Sequence, residues 1–266
     1  MAIIGISGKI GSGKDTIGTI IQVLTDDNLT DGEVFEIIEG RLALTPGTET
    51  WEIKKFAGKL KQITALLLGC TVEQLEDRDF KEKELGEEWA RYKVVEMVGD
   101  LDRIYEDVYF VDEQDAISYM EEDSEMRHYP EKEILTPRKL LQLLGTEAGR
   151  DIIHPNIWVN ALFADYKEVK KYHKNNAKSL LKEGYAYKEL PNWIITDVRF
   201  LNEAQAIKDR GGYLIRINRG DGNTGDHPSE TALDNYTDWD FTIDNNGTID
   251  QLLDKVKAIL TKLEIL

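Results

Sequence analysis

An apolar run, Ala2-Ile3-Ile4-Gly5-Ile6, opens directly into Gly8-Lys9-Ile10-Gly11-Ser12-Gly13-Lys14-Asp15-Thr16, and no other stretch constrains the fold as tightly. Glycines at 8 and 13 with lysine at 14 keep the G-x-x-x-x-G-K spacing, and Ile17, Ile20, Ile21 and Leu24 follow at helical intervals. Strand, glycine loop and helix therefore come in the order a phosphate-binding loop needs. Small residues let successive backbone N–H groups turn inward as an anion nest, and the next helix presents its positive dipole end to the same anion. Lys14 adds a point charge able to reach the outer phosphates. One position departs from the pattern. The residue after the lysine is normally Ser or Thr, whose hydroxyl binds Mg²⁺; here it is Asp15, and the hydroxyl comes one place later, at Thr16. Asp15 and Thr16 are the alternative metal ligands.

A chain of 266 residues buries a sizeable core and fits one large or two small domains. We expect one α/β domain, residues 1–266, with insertions. A hydrophobic fraction of 41% with 31% charged residues is ordinary for a soluble globular protein, and no apolar stretch approaches the ~20 residues that span a bilayer. The amino-terminal apolar run lacks a basic leader and is interrupted by Gly5, so we expect no secretory signal. The single cysteine, Cys70, cannot form an internal disulfide, which fits a reducing cytoplasm. A net charge of −17 disfavours polymeric nucleic acid, while a small anion remains allowed wherever a few Arg and Lys residues reverse the potential locally.

Along the chain, strand patterns alternate with helical ones. Val34–Ile38 and Arg41–Leu44 flank Glu39-Gly40 and read as a β-hairpin, an insertion at about 31–50. Trp51 to Ala57 alternates as a strand, and a helix follows from Lys59 to Leu68. From 71 to 133 the chain is dense in charge and reads as an acidic, mostly exposed insertion, a lid or a substrate-side element. Thr136-Pro137 supplies an N-cap and a first-turn proline for a helix through Leu144, and another helix is predicted from about Asn156 to Lys171. Asn192–Asp197 is an apolar strand ending in a carboxylate. It is followed by a helix at about 202–209, a strand at 213–217, a short strand at 241–243 and a closing helix from Ile249 to Leu263. This order predicts a mainly parallel sheet covered on both faces, with ligands at the carboxyl ends of the strands.

Several groups of residues could carry chemistry. Arg138, Gln142, Thr146 and Arg150 are spaced by four, a polar stripe that spacing alone assigns to a solvated helix face. Asp197, Arg199 and Glu203 could share one site at a strand end: Asp197 toward Mg²⁺, Arg199 toward an anionic group, and Glu203 toward a hydroxyl or the arginine. Lys59 and Lys61 lie after the second strand as candidate phosphate contacts. His227, in Asp226-His227-Pro228-Ser229-Glu230, has no partner at metal-ligand spacing and reads as a surface loop residue. Trp158 could stack on a base, but composition favours the core.

Taken together, Gly8 to Thr16, Arg138 to Glu147, Trp158, Asp197-Val198-Arg199-Phe200-Leu201-Asn202-Glu203 and His227-Pro228-Ser229-Glu230 resemble the bacteriophage-type deoxynucleoside monophosphate kinases, in matching order along almost the whole chain. The Lys-Asp-Thr ending of the loop is shared with that family. Ile10, where the family often has a basic residue, and Lys139, where it can have a second arginine, depart from the pattern. The segments 31–49 and 71–133 match no part of it. The resemblance implies a P-loop NTPase-type three-layer fold and phosphoryl transfer from ATP, with Mg²⁺, to a deoxynucleoside 5′-monophosphate in a cytoplasm, the host's if the protein is viral. It implies donor binding by Lys9, Gly11, Gly13, Lys14, Asp15 and Thr16. It further implies substrate binding by Arg138, Gln142, Gly145, Thr146, Trp158, Asp197, Arg199 and Glu203, with Lys14, Arg138, Asp197 and Arg199 catalytic; Lys61, just after a strand's carboxyl end, and Arg150, on the same stripe as Arg138, are further candidate substrate contacts. Its partners would be small nucleotides, and a homodimer is compatible with it. Two other readings stay open: a kinase of another small phosphorylated metabolite, phosphomevalonate-like, and a nucleotide-dependent switch or assembly ATPase.

Overall fold

The structure, a computed structural model, describes residues 2–26, 28–43, 50–100, 103–122, 130–172, 186–220 and 231–266. The chain divides into two compact units, residues 1–59 with 154–266, and residues 60–153. The first unit starts with β1 (Ile3–Gly8), α1 (Lys14–Leu24), α2 (Asp31–Ile38), β2 (Trp51–Lys54) and the first turn of α3 (Ala57–Leu68). The second unit takes the rest of α3, then α4 (Arg78–Glu82), β3 (Ala90–Asp100), β4 (Arg103–Val111), α5 (Glu113–Glu122), β5 (Glu131–Ile134), α6 (Pro137–Gln142) and a π-helical stretch, Leu143–Ile153. The first unit resumes with α7 (Ile157–Phe163), β6 (Val169–Tyr172), β7 (Ala186–Glu189), β8 (Asn192–Ile195), α8 (Leu201–Lys208), β9 (Tyr213–Asn218), β10 (Phe241–Asp244) and α9 (Ile249–Lys262).

In the first unit five strands form one parallel sheet in the order β10-β9-β1-β8-β2. Period-two side-chain alternation splits its residues between two layers. Ile4 and Ile6 of β1, Ile194 of β8 and Ile215 of β9 pack with Ile17, Ile20 and Ile21 of α1 and with Leu252, Val256 and Leu260 of α9. Ile3, Trp193, Ile195 and Leu214 face the other way, onto Val159 and Leu162 of α7 and Ile207 of α8. This is the mainly parallel, three-layer α/β fold that the sequence predicts. β1 lies between β8 and β9, at the point where successive crossovers change direction, so its carboxyl end opens at the switch point where such sheets bind ligands.

The predicted hairpin at 34–44 is not there. Residues 31–38 are helical because Thr30 and Glu33 form a capping box: the Thr30 side chain accepts from the Glu33 N–H, and the Glu33 carboxylate accepts from the Thr30 N–H at 2.9 Å. Val34, Ile37 and Ile38 then share one helical face, and Ile37 is buried. Gly40, at φ 74°, ends the helix instead of turning a hairpin, and the Arg41 N–H bonds back to the Glu36 carbonyl at 2.8 Å. Leu44 lies outside the described residues, as does the predicted polar loop 226–230. The helix expected over 156–171 stops at Phe163, and residues 169–172 pair instead with β7 in a two-stranded antiparallel ribbon.

The second unit is wider than the insertion expected at 71–133 and has its own order. β3 pairs antiparallel with β4 on one edge and β5 on the other, with Ala90 opposite Ile134. Val94 of β3, Ala116 of α5, Leu75, Leu135 and Leu140 are buried within it. Among the described residues of this stretch, charged side chains such as Glu73, Asp79, Glu84 and Glu88 lie on the outside of a small sheet-and-helix body. Among the described residues, no helix is long and apolar enough to cross a membrane.

Candidate active site

β1 ends at Gly8 and α1 begins at Lys14, so the intervening loop sits at the carboxyl edge of the central strand. Gly11 and Gly13 hold φ of 76° and 97°, the left-handed region that costs any residue with a Cβ. A Cβ on Gly13 would also stand 2.6 Å from Asn245 Nδ2, which donates to the Ser12 carbonyl at 2.8 Å and so braces the loop from the β10 side. The Lys14 ammonium donates to the carbonyls of Gly8 and Lys9 at 2.7 and 2.8 Å, which folds the side chain back over the loop. Among the described residues, the buried Ser12 hydroxyl has no hydrogen-bond partner.

Cations collect around this loop in a chain that is otherwise strongly acidic. Lys9 pairs with Asp234 at 2.5 Å. Arg216, opposite Ser7 in the β1–β9 register, donates to the Ser7 hydroxyl at 3.1 Å, and Arg219 donates to the Gly11 carbonyl at 3.3 Å. Burial lowers the Arg216 pKa from its ordinary value against the support of Asp234, and the group stays charged at any working pH. Neither arginine stood out in the sequence. The one available signal was a charge at position 216 inside the apolar strand Tyr213–Ile217.

Asp15, on the first turn of α1, accepts a hydrogen bond from the Thr196 hydroxyl at 2.7 Å and lies 3.2 Å from the Lys55 ammonium, both at Oδ1. Thr196 directly follows β8, and its N–H bonds to the Lys54 carbonyl at 3.2 Å, which sets it beside Lys55. Partial desolvation works against the Asp15 charge, but the Thr196 hydroxyl, Lys55 and Lys14 outweigh it and hold the carboxyl below its usual range. Thr16 is exposed next to it. Thr196 and Lys55 were not legible as site residues, because each meets Asp15 only through the parallel sheet.

Asp197 accepts from two backbone donors, the Phe56 N–H at 2.7 Å and the Ala57 N–H at 2.9 Å, one on each carboxylate oxygen. It ties the end of β8 to the start of α3. Glu203 is 1% exposed, and its Oε2 accepts from the N–H groups of Arg199 and Phe200 at 2.7 and 3.1 Å, capping α8 and fixing the Arg199 turn. A substrate hydroxyl was one sequence expectation for Glu203; the contacts described here are to backbone, because the first turn of α8 needs an acceptor. Trp158 is 6% exposed, with the core residues.

The remaining candidates belong to the second unit. Arg138 pairs with Glu82 at 2.5 Å, and Lys61 pairs with Glu76 at 2.5 Å. The stripe Arg138, Gln142, Thr146 and Arg150 runs from α6 into the π-helical stretch. Four residues overshoot one α-turn and fall just short of the wider i→i+5 turn, so the stripe keeps to one side despite the change. Gly145 is buried, and a Cβ there would lie 2.9 Å from Leu60.

The donor chemistry near the loop fits Mg²⁺. That ion takes oxygen ligands, keeps several waters, and is usually held by one or two carboxylates plus substrate phosphates. Asp15, with hydroxyls at Thr16 and Thr196, is a set of this kind, and no group of three or more His, Cys, Asp or Glu residues forms a full metal cage among the described residues.

A five-stranded parallel sheet with a glycine loop and lysine at the switch strand defines a protein of the P-loop kinase type. Its relatives narrow this further. The model of the deoxynucleotide monophosphate kinase family matches residues 91–256, and the chain belongs to that family. The deoxynucleoside-5′-monophosphate kinase of Escherichia phage T5 is 25% identical over 253 residues, 87% of this chain and 84% of that protein. A protein of Acanthamoeba polyphaga mimivirus that carries a provisional deoxynucleotide monophosphate kinase name is 34% identical over 129 residues, 46% of this chain. The deoxynucleotide monophosphate kinase of Escherichia phage RB69 is 24% identical over 124 residues. The matches span 59% of the mimivirus protein and 44% of the RB69 protein.

Proposed function

We propose that this protein transfers the terminal phosphoryl group of ATP to a deoxynucleoside 5′-monophosphate, giving ADP and the diphosphate. The observation that carries the reading is the lysine-bearing glycine loop at the switch strand of a parallel sheet, in a chain of the deoxynucleotide monophosphate kinase family. An oxygen of the acceptor phosphate forms a bond to the γ-phosphorus while the bond from that phosphorus to the β–γ bridging oxygen breaks. Little covalent chemistry falls to the protein; it aligns the two nucleotides and neutralises charge on the migrating group. Loop N–H groups and the α1 dipole receive the donor phosphates, and Lys14, folded over the loop by its bonds to the Gly8 and Lys9 carbonyls, meets the outer ones. Lys9, Arg216 and Arg219 raise the local potential against a net charge of −17. Asp15 or Thr16 would hold Mg²⁺, which when bound would further neutralise the donor oxygens.

Arg199 is the acceptor-phosphate ligand in this proposal, held in place by the Glu203 cap on its turn. For Arg138, Gln142, Gly145, Thr146 and Trp158 the substrate role is supported by the family resemblance rather than by geometry, and for Lys61 and Arg150 by their charge and place in the sequence. Asp197 enters as the residue that fixes the end of β8, one position from Thr196. The reading puts the enzyme among free nucleotides in a cytoplasm, since its acidic surface opposes polymers.

The test is ADP release from ATP and Mg²⁺, measured alone and then with each deoxynucleoside monophosphate and with phosphomevalonate. Stimulation by one or more deoxynucleotides is expected. Hydrolysis independent of acceptor, or stimulation by phosphomevalonate alone, would replace this reading by one of its two rivals.

A further inference from the structure

We infer that the divalent cation of the donor nucleotide is bound by the Asp15 carboxylate, oriented by the Thr196 hydroxyl, so that the usual hydroxyl and carboxylate of a phosphate-loop cation site have changed places. The inference rests on the phosphotransferase reading above. In P-loop NTPases the loop supplies a Ser or Thr hydroxyl to the metal, and a neighbouring strand end supplies an aspartate. Here the loop supplies the aspartate and the end of β8 supplies the threonine, joined at 2.7 Å. The pair still totals one carboxylate and one hydroxyl.

Four observations favour Asp15 over Asp197, the strand-end carboxylate that the sequence also offered toward Mg²⁺. Asp197 is already tied to backbone, with the Phe56 N–H on one oxygen and the Ala57 N–H on the other, which holds its carboxylate against the start of α3. The Asp15 side chain is 72% exposed while Thr196 is 1% exposed, so a hydrated ion can reach the carboxylate and the hydroxyl stays fixed beneath it. Gly18, one turn after Asp15, is what allows this seating: a Cβ there would stand 2.7 Å from Thr196 Cγ2. The Thr196 and Lys55 contacts both fall on Oδ1, which leaves the second oxygen of Asp15 to a cation. Thr196 is thus a positioning residue, and Lys55 a counter-charge that holds the carboxylate in place.

The experiment measures Mn²⁺ affinity by electron paramagnetic resonance in the presence of a non-hydrolysable ATP analogue, alongside the affinity of the analogue in EDTA. Asp15→Asn is expected to weaken Mn²⁺ by more than about tenfold, and Thr196→Val by about tenfold, the usual cost of losing a partner that orients a metal ligand. Thr196→Ser, which keeps the hydroxyl, is expected to retain affinity. Asp15→Ser alone should lose Mn²⁺, and the double variant Asp15→Ser with Thr196→Asp, which restores the ordinary arrangement, should recover most of it. Melting curves of each variant separate lost cation binding from lost fold. Unchanged Mn²⁺ affinity in Asp15→Asn, or failure of the double variant to improve on Asp15→Ser while folded, overturns the assignment. A parent protein that binds no analogue even in EDTA defeats the phosphotransferase reading itself, and this inference with it.

Discussion

Asp197 offers a test in which structural and catalytic readings point in opposite directions. Its carboxylate receives the Phe56 and Ala57 N–H groups at 2.7 and 2.9 Å. A hydrogen bond to a charged group contributes about 1.5–3 kcal/mol, and the partial exposure of Asp197 argues for the low end, so Asp197→Ala should cost about 3 kcal/mol. For chains of this size each kcal/mol moves the melting temperature by about 2–4 °C, which gives a drop of about 6 °C or more. Asp197→Asn keeps one acceptor and turns an amide N–H toward the other donor, so it should lose roughly half as much or more. The assay is a calorimetric melt without nucleotide or metal. A carboxylate held open for a ligand behaves differently: its removal leaves the melt unchanged or raises it. An Asp197→Ala melt within about 1 °C of the parent would therefore refute the anchoring role.

Lys14→Ala should lower turnover about a hundredfold, the ~3 kcal/mol of one charge on the migrating group, with little change in melting temperature; near-normal turnover in an ADP-release assay removes Lys14 from the mechanism. Gly13→Ala meets both a φ of 97° and Asn245 Nδ2 at 2.6 Å, so about 1–3 kcal/mol of stability and most analogue binding should be lost, as read by urea unfolding and titration. Lys208 is held by both oxygens of Asp240 at 2.8 Å; partial burial works against its charge, but Asp240 and Asp238 outweigh it and raise its pKa. A raised value means the stabilisation is complete below about pH 10.5 and fades as pH climbs through the higher folded value, so the melting gap between parent and Lys208→Met should close at strongly alkaline pH. A gap that widens there would reverse the sign. Asp240 also accepts from the Leu214 N–H at 2.7 Å, so Asp240→Ala should cost more stability than Lys208→Met at neutral pH.

What could be read in the chain was what neighbouring residues determine. The strand, glycine loop and helix at 3–24 and the alternation of 192–262 are local patterns, and the parallel three-layer sheet follows from them. The hairpin reading at 34–44 took Glu39-Gly40 as a turn between two apolar runs, yet Thr30 and Glu33 already carried the capping-box spacing that starts a helix. The antiparallel sheet at 90–134 was hidden because Ala90 finds Ile134 across a charge-rich stretch with no clear alternation. At the candidate site, Asp15 and Asp197 were visible by type and position. Their partners, Thr196 for one and two backbone N–H groups for the other, come from 181 and 141 residues away, and no local pattern encodes that.

The position of β1 has a consequence for how the chain is made. It is the first strand of its sheet to leave the ribosome, yet both its neighbours lie far downstream: Ile3 pairs with Trp193 and Ile4 with Tyr213. At about 5–20 residues per second, roughly 190 residues of synthesis separate β1 from its first partner by about 10–40 s. The intervening second unit, one continuous stretch with its own core, is complete well before then. The strand that carries the phosphate loop is thus born with two unsatisfied edges, and a nascent chain stalled before residue 190 should hold a folded middle and an apolar head open to chaperones.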